Sequence, residues 1–464
     1  MSRTEHSTDI DAAAAEQQVD VLVIGGGPAG STAAALLARK GWRVALLEKD
    51  RHPRFHIGES LLPMNLPILE RLGVLDQVRA IGVHKPGADF PLRDAAGSTH
   101  VFRFDRALSP TFDHAFHVRR DEFDQLLFEH ARSQGVEVRE QATVTRVAFE
   151  GDRPAVVHVR PADGGALRYR VRYLVDASGR DTFLGNALGL KRKSTQHQSA
   201  AIFSHFKGVQ RREGEDAGNI TIDRFEHGWY WLIPLPDDVM SVGAVCFPEY
   251  LRQRNRDPGN AGRDQASRNE AFLMRTLEAA PTVWNRMRQA TRVAPVHVTG
   301  NYSYACARMA GPGWVMAGDA YAFIDPVFSS GVYLGMDSAE RAAAVVDGTL
   351  REPDREQALQ RAMARRATRG LKHFSWFIHR FTTPVMQRLF RTPRNALRIE
   401  QAVISMLAGD VFDNRAVLRR LLLFRLLYAA NAVAIAPSAF RGWLARRRQV
   451  GVSFTGETLQ ADKP

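Results

Sequence analysis

The chain has 464 residues, 63 Lys plus Arg against 50 Asp plus Glu, and only two cysteines, Cys246 and Cys306. With 45% hydrophobic and 24% charged residues the composition is that of an ordinary globular protein, which excludes global disorder and collagen-like repeats. Two cysteines cannot build a disulfide framework or a four-thiolate metal site, a usage that points to a reducing, cytoplasmic compartment, while the net charge of +13 admits nucleic acid, a membrane surface or an acidic partner.

Residues 1–18 are polar and Ala-rich, with no apolar core or cleavage site, and read as a disordered tail. A short apolar strand over 20–24 (DVLVI) then meets Gly25-Gly26-Gly27-Pro28-Ala29-Gly30, an Ala/Leu-rich helix running to Gly41, a second strand over 43–47, and Glu48. Strand, Gly-x-Gly-x-x-Gly, helix, strand and acid is the full context of a dinucleotide site. Gly25 allows the tight turn, Gly27 lets the backbone approach a pyrophosphate, and Gly30 permits close helix–sheet packing. The helix N-terminus offers N–H groups and a positive dipole end to phosphates, and Glu48 is placed for ribose hydroxyls. The fingerprint serves NAD and FAD alike.

Further along, residues 54–63 read RFHIGESLLP and 83–90 read VHKPGADF. HVRRDEFD over 117–124 opens a helix containing Arg120. Residues 173–181 (YLVDASGRD) run a strand into Asp176, and 228–234 read GWYWLIP. A buried strand after residue 313 ends at Gly318-Asp319-Ala320, followed by DPVFSSGV over 325–332. An Asp at such a strand end can meet a ribityl hydroxyl.

The D-x-x-G strand, the G-D-A segment and the Arg-containing helix start resemble the FAD-dependent monooxygenase superfamily, in which Arg120 would meet FAD phosphate or ribose. RFHIGESLLP, K-x-G-x-x-F at Lys85, Gly87 and Phe90, and DPVFSSGV look like the flavin-dependent halogenases, in the branch acting on phenols and pyrroles. Trp229, Trp231, Ile233 and Pro234 fill every fixed place of that family's W-x-W-x-I-P. Gly82 stands where the family usually has Phe, and Phe328 where the tryptophan branch has Glu. The resemblance spans about residues 19–415.

It implies FAD, used as FADH₂ with O₂ and a chloride or bromide co-substrate. A flavin C4a-hydroperoxide would oxidise the halide, and hypohalous acid directed by Lys85, through a hydrogen bond or a haloamine, would halogenate an electron-rich phenol or pyrrole, free or carrier-bound. Trp229 and Trp231 would wall substrate off from the flavin, and backbone N–H groups at Ser330 and Gly331 would hold halide. Further flavin contacts are expected from Pro28, Ala29, Lys49, Ser60, Val144 and Pro326. Without that frame Lys85 reads as a loop lysine, the tryptophans as strand core and the Ser-Ser-Gly turn as a helix cap. A hydroxylase of the same fold is the alternative activity.

The expected fold is α/β. A discontinuous Rossmann-type FAD-binding unit over 19–353 carries a mixed-sheet substrate insert at about 196–298, and a helical region with a basic tail occupies 354–464. Residues 252–269 read as an exposed loop or helix start. Phe374, Trp376, Phe377, Phe381 and Met386 would add an apolar surface near the pocket, as core more than as substrate contacts. No metal-site spacing occurs, and no second Gly-rich fingerprint, so a separate NAD(P)H-dependent flavin reductase is the expected partner. The basic residues are not set among aromatics as nucleic-acid binding requires. Residues 421–436 (LLLFRLLYAANAVAIA), too short to span a bilayer, lie between arginine clusters. They read as a packed helix or as a peripheral membrane contact.

Overall fold

The computed structural model describes residues 15–92, 97–108, 110–193, 199–256, 263–300, 303–391 and 395–434. Its central sheet has the order Trp314–Met316, Leu167–Asp176, Ala15–Ile24, Val44–Leu47, Glu137–Arg139, and all these neighbours are parallel. Val21, Leu22, Val23 and all of Val44–Leu47 are buried, as inner strands covered on both faces must be. Helices Pro28–Ala38, Arg120–Ser133 and Gly331–Arg351 pack together on one side, and their Ala33, Ala34, Phe123 and Ala339 join the strand residues in one core.

The first strand corrects the expected tail boundary. It begins at Ala15, because Ala15 to Gln18 pair with Leu167 to Arg170. That partner lies about 150 residues away, where no local reading of a polar segment finds it.

A second, mixed sheet runs Thr291–Arg292, Ala200–Lys207, Val239–Cys246, Gly228–Pro234, Ile220–Phe225, Gly87–Pro91, Thr99–Arg103, with His297–Gly300 also paired to Ala200–Lys207. The strand period of two sorts its residues. Ala201, Phe203, Trp229, Trp231 and Ile233 face the main core. Ile202, Tyr230, Leu232 and Val242 face the opposite way, onto helices Gln265–Glu278 and Pro281–Met287. The segment expected as a loop or helix start therefore holds the end of helix Pro248–Arg256 and the capped start of Gln265–Glu278, where the Asp264 carboxylate accepts from Ser267 N at 2.8 Å. The insert is thus a sheet with a helical outer layer.

After the long helix Gly331–Arg351, helices Glu356–Ile378, Pro384–Arg391, Ile399–Leu407 and Arg415–Ala434 complete the chain as described. Phe374, Phe377, Phe381 and Met386 are core residues, and Trp376 packs against that core. The last helix buries Val417, Leu421 and Phe424 but exposes Leu422, Leu423, Leu426, Leu427 and Val433. Packing accounts for one of its faces. No described helix is long and apolar enough to cross a membrane. Arg441 and Arg446 to Arg448, which the basic tail rested on, lie outside the described residues.

Candidate functional site

A large cavity runs from the turn after the first strand, along the parallel sheet's carboxyl ends, to the second sheet. At one end, Gly25 takes φ +99°, and a Cβ there would stand 2.4 Å from the Ala177 carbonyl oxygen, so the turn demands glycine. Helix Pro28–Ala38 begins with Gly27 at its N-cap and Pro28 at its first position. No side chain caps its N–H groups, which remain available to an anion. Gly27, Pro28 and Ala29 line the cavity. Gly30 does not, and acts through packing: a Cβ there would meet the Gly25 carbonyl oxygen at 1.8 Å.

Glu48, Lys49 and Val144 line the same stretch. The Glu48 carboxylate accepts from Gly26 N at 2.8 Å and Asp50 N at 3.0 Å, which fixes the turn against the second strand, and Lys49 pairs with Asp181 at 2.5 Å. Arg120 is buried at its helix start, held in a fork by Asp124 at 2.7 and 2.9 Å, and donates to the Ile57 carbonyl at 2.8 Å. Arg54 bridges Asp124 at 3.0 Å and Glu48 at 3.3 Å. Burial alone would raise the Asp124 carboxyl, but the two guanidiniums hold it below its usual range. Gly318, Asp319, Pro326 and Gly331 close the far wall, and burial pushes the Asp319 carboxyl up to about 6.

Two expected contacts sit elsewhere. Asp176 is fully buried and outside the lining, because its carboxylate accepts from Ser178 N at 3.0 Å and Leu184 N at 2.7 Å. It shapes the turn that presents Ala177 and Ser178 to the cavity and does not itself line it. Ser330 is buried behind the wall, at the N-cap of Gly331–Arg351. The residues that reach the cavity there are Ser329, in a left-handed turn at φ +56°, and Gly331.

Trp229 and Trp231 form the wall on the second sheet, their ring centroids 5.8 Å apart. Trp231 lies opposite Gly243, where a Cβ would come within 2.5 Å of the indole, and its Nε1 donates to Ser241 Oγ at 3.1 Å. Lys85 lies outside this cavity. It is 1% exposed, does not line the cavity, and donates to Ser60 Oγ at 2.8 Å and the Leu61 carbonyl at 2.9 Å. Its ammonium stands 5.4 Å from the Phe104 ring centroid. Burial pushes the Lys85 amine down to about 7 and, with Lys85 beside it, holds His117 well below the usual imidazole range. Ser60 lines the cavity, so one side chain separates it from the amine. Sequence reasoning quoted RFHIGESLLP yet assigned only Ser60 from it, although Arg54, Phe55, His56, Ile57, Gly58 and Glu59 all line the cavity.

The free N-terminal amides, the glycine turn and the long cavity fit a dinucleotide stretched along the sheet. The chain matches the family described as FAD binding domain over residues 18–375. It is 38% identical over 330 residues to the "Tryptophan 2-halogenase" of Chondromyces crocatus, a match covering 70% of this chain and 60% of the relative's length. It is 28% identical over 422 residues to the "1H-pyrrole-2-carbonyl-[peptidyl-carrier protein] chlorinase" of Pseudomonas fluorescens, covering 86% of this chain and 91% of that one. Among solved structures, the myxobacterial chondrochloren halogenase CndH superposes with a TM-score of 0.72 at 30% identity, covering 90% of this chain and 97% of its own. With FAD as its cofactor, the chain belongs to the flavin-dependent halogenases, a family of FAD-dependent oxidoreductases.

Proposed function

We propose that the chain uses FADH₂, O₂ and chloride or bromide to halogenate an electron-rich aromatic ring, a phenol or a pyrrole, free or carrier-bound. Bound flavin supplies the activation of oxygen. The chain's residues do the rest: Gly331, at the N-terminus of a 21-residue helix, presents a backbone donor end to halide. Trp229 and Trp231 exclude the aromatic from the flavin, and Lys85 receives the oxidised halogen. The observation that carries this reading is the amine, buried with its pKa near 7 and one serine away from the cavity. An oxygen inserted directly by a hydroxylase has no use for it.

Supplying FADH₂ from a separate reductase with O₂, halide and a set of phenols, pyrrolyl-carrier conjugates and indoles tests the reading through the isotope pattern of the product. The indoles are included because one relative is named for tryptophan. Oxygenated product with no halogenated product would make the chain a hydroxylase.

We further propose that the exposed leucine face of Arg415–Ala434 meets an anionic membrane surface. Residues 415–456 carry eight arginines and no acidic residue, a charge that suits anionic headgroups. Cosedimentation with phosphatidylglycerol but not phosphatidylcholine vesicles is expected, and Leu426→Ser with Leu427→Ser should weaken it. Equal pelleting of the variant would remove this role.

A further inference from the structure

Glu59 is 1% exposed, lines the cavity, and has one carboxylate oxygen 2.6 Å from His205 Nε2. Its other oxygen is buried and makes no hydrogen bond in the structure. A buried, half-paired carboxylate is costly unless something else uses it. On strand Ala200–Lys207, His205 follows Ala201 and Phe203 on the cavity-facing side and retains partial exposure. Phe55, 46% exposed, lies edge-on to His205 at 6.0 Å and stacks on His297 at 4.1 Å. A continuous path thus leads from solvent through an imidazole and a carboxylate to the cavity.

We infer that Glu59 and His205 form the proton entry to this cavity. The inference rests on the halogenase reading, whose stoichiometry needs it: FADH₂ + O₂ + X⁻ + H⁺ gives FAD + HOX + H₂O, so each hypohalous acid formed takes one proton from outside. His205 takes that proton from water on its exposed side and passes one from Nε2 to the Glu59 oxygen 2.6 Å away, and the unpartnered oxygen delivers a proton into the cavity. No bond other than N–H and O–H forms or breaks in the relay. Lys85 does not substitute, because it bonds to Ser60 and Leu61 on another side of this segment. Beside the pair stands His297, which burial and His205 hold below its usual pKa against the pull of Glu59, and Arg120, which donates to the carbonyls of Ile57 and Gly58 just before Glu59, is tied to Asp124.

Glu59→Gln and His205→Ala test the relay with flavin binding followed separately. Both variants are expected to retain FAD with unchanged affinity, read by quenching of flavin fluorescence. In the apoprotein, an exchange-protected histidine ring N–H signal in ¹H–¹⁵N spectra should vanish in both. Halide-dependent turnover should fall at least tenfold in each, and added imidazole should restore His205→Ala but not Glu59→Gln. Turnover of Glu59→Gln within twofold of wild type, or no imidazole rescue of His205→Ala despite bound FAD, overturns the relay. A wild-type protein that halogenates nothing overturns the halogenase reading instead. The relay is then judged by whether Glu59→Gln slows reoxidation of reduced flavin by O₂ and raises its solvent deuterium isotope effect. No change in either overturns it.

Discussion

The flavin cavity and the packed surroundings of Lys85 lie on either side of Ser60, and they are built in opposite ways. The cavity is lined by glycines, free helix-end amides and forked ion pairs such as Arg120 with Asp124, so charge there is balanced by charge. Among the described residues the Lys85 amine has no carboxylate partner, only a hydroxyl, a carbonyl and an aromatic face. The first arrangement suits holding a multiply charged cofactor. The second keeps an amine near neutrality, the condition for a nucleophile at physiological pH.

The sharpest way to break that contrast is Lys85→Ala. Halogen transfer should fall at least about 1,000-fold while flavin fluorescence quenching is unchanged, and halogenated product at more than a tenth of the wild-type rate would remove Lys85 from the transfer. In wild type, the pH profile of halogen transfer should rise through about 7 as the amine loses its proton. A fall through the same pH would assign a hydrogen-bonding ammonium instead.

Stability carries the same signature. The unfolded lysine binds its proton up to about 10.5, the folded one only up to about 7, so burial of Lys85 costs most below pH 7 and the cost fades as pH rises toward 10.5. Lys85→Met should therefore raise the melting temperature most at pH 6 and little at pH 10. At about 1.4 kcal/mol per pKa unit, the difference amounts to a few kcal/mol. A gain independent of pH would mean that packing, not charge, is responsible.

On the cavity side, Gly243→Ala would set a methyl against the Trp231 indole and Phe203. A loss of about 1–3 kcal/mol in denaturant unfolding and a shift in tryptophan emission are expected. The smallest effect falls on the partition: Ser60→Ala should slow halogen transfer by roughly tenfold, the weight of one hydrogen bond to a charged or reacting group, with the break in the pH profile moved below that of wild type.

Much of the cavity was legible because its parts are local. The glycine turn and its acid follow one another within 24 residues, and the W-x-W alternation puts both indoles on one face of a strand. What escaped depends on distance or on geometry that a motif does not encode. Asp176 was expected among the flavin contacts, yet a carboxylate that caps its own turn and one that meets a ligand look the same in sequence. Glu59 and His205 are 146 residues apart and share no pattern. Lys85 was singled out by its motif, but only the packing around it pushes its amine down to about 7.

The distribution of sulfur has a consequence for the lifetime of the enzyme. Hypohalous acid attacks thiols and thioethers first, and among the described residues no Cys, Met or Tyr lines the cavity. Cys246 and Cys306 are both buried, with burial raising each thiol above its ordinary pKa, so neither offers a thiolate. The lining groups open to that attack are the His56 imidazole, the Lys49 amine and the indoles of Trp229 and Trp231. Wear after many turnovers should therefore appear as halogenation of these side chains before any sulfur is oxidised.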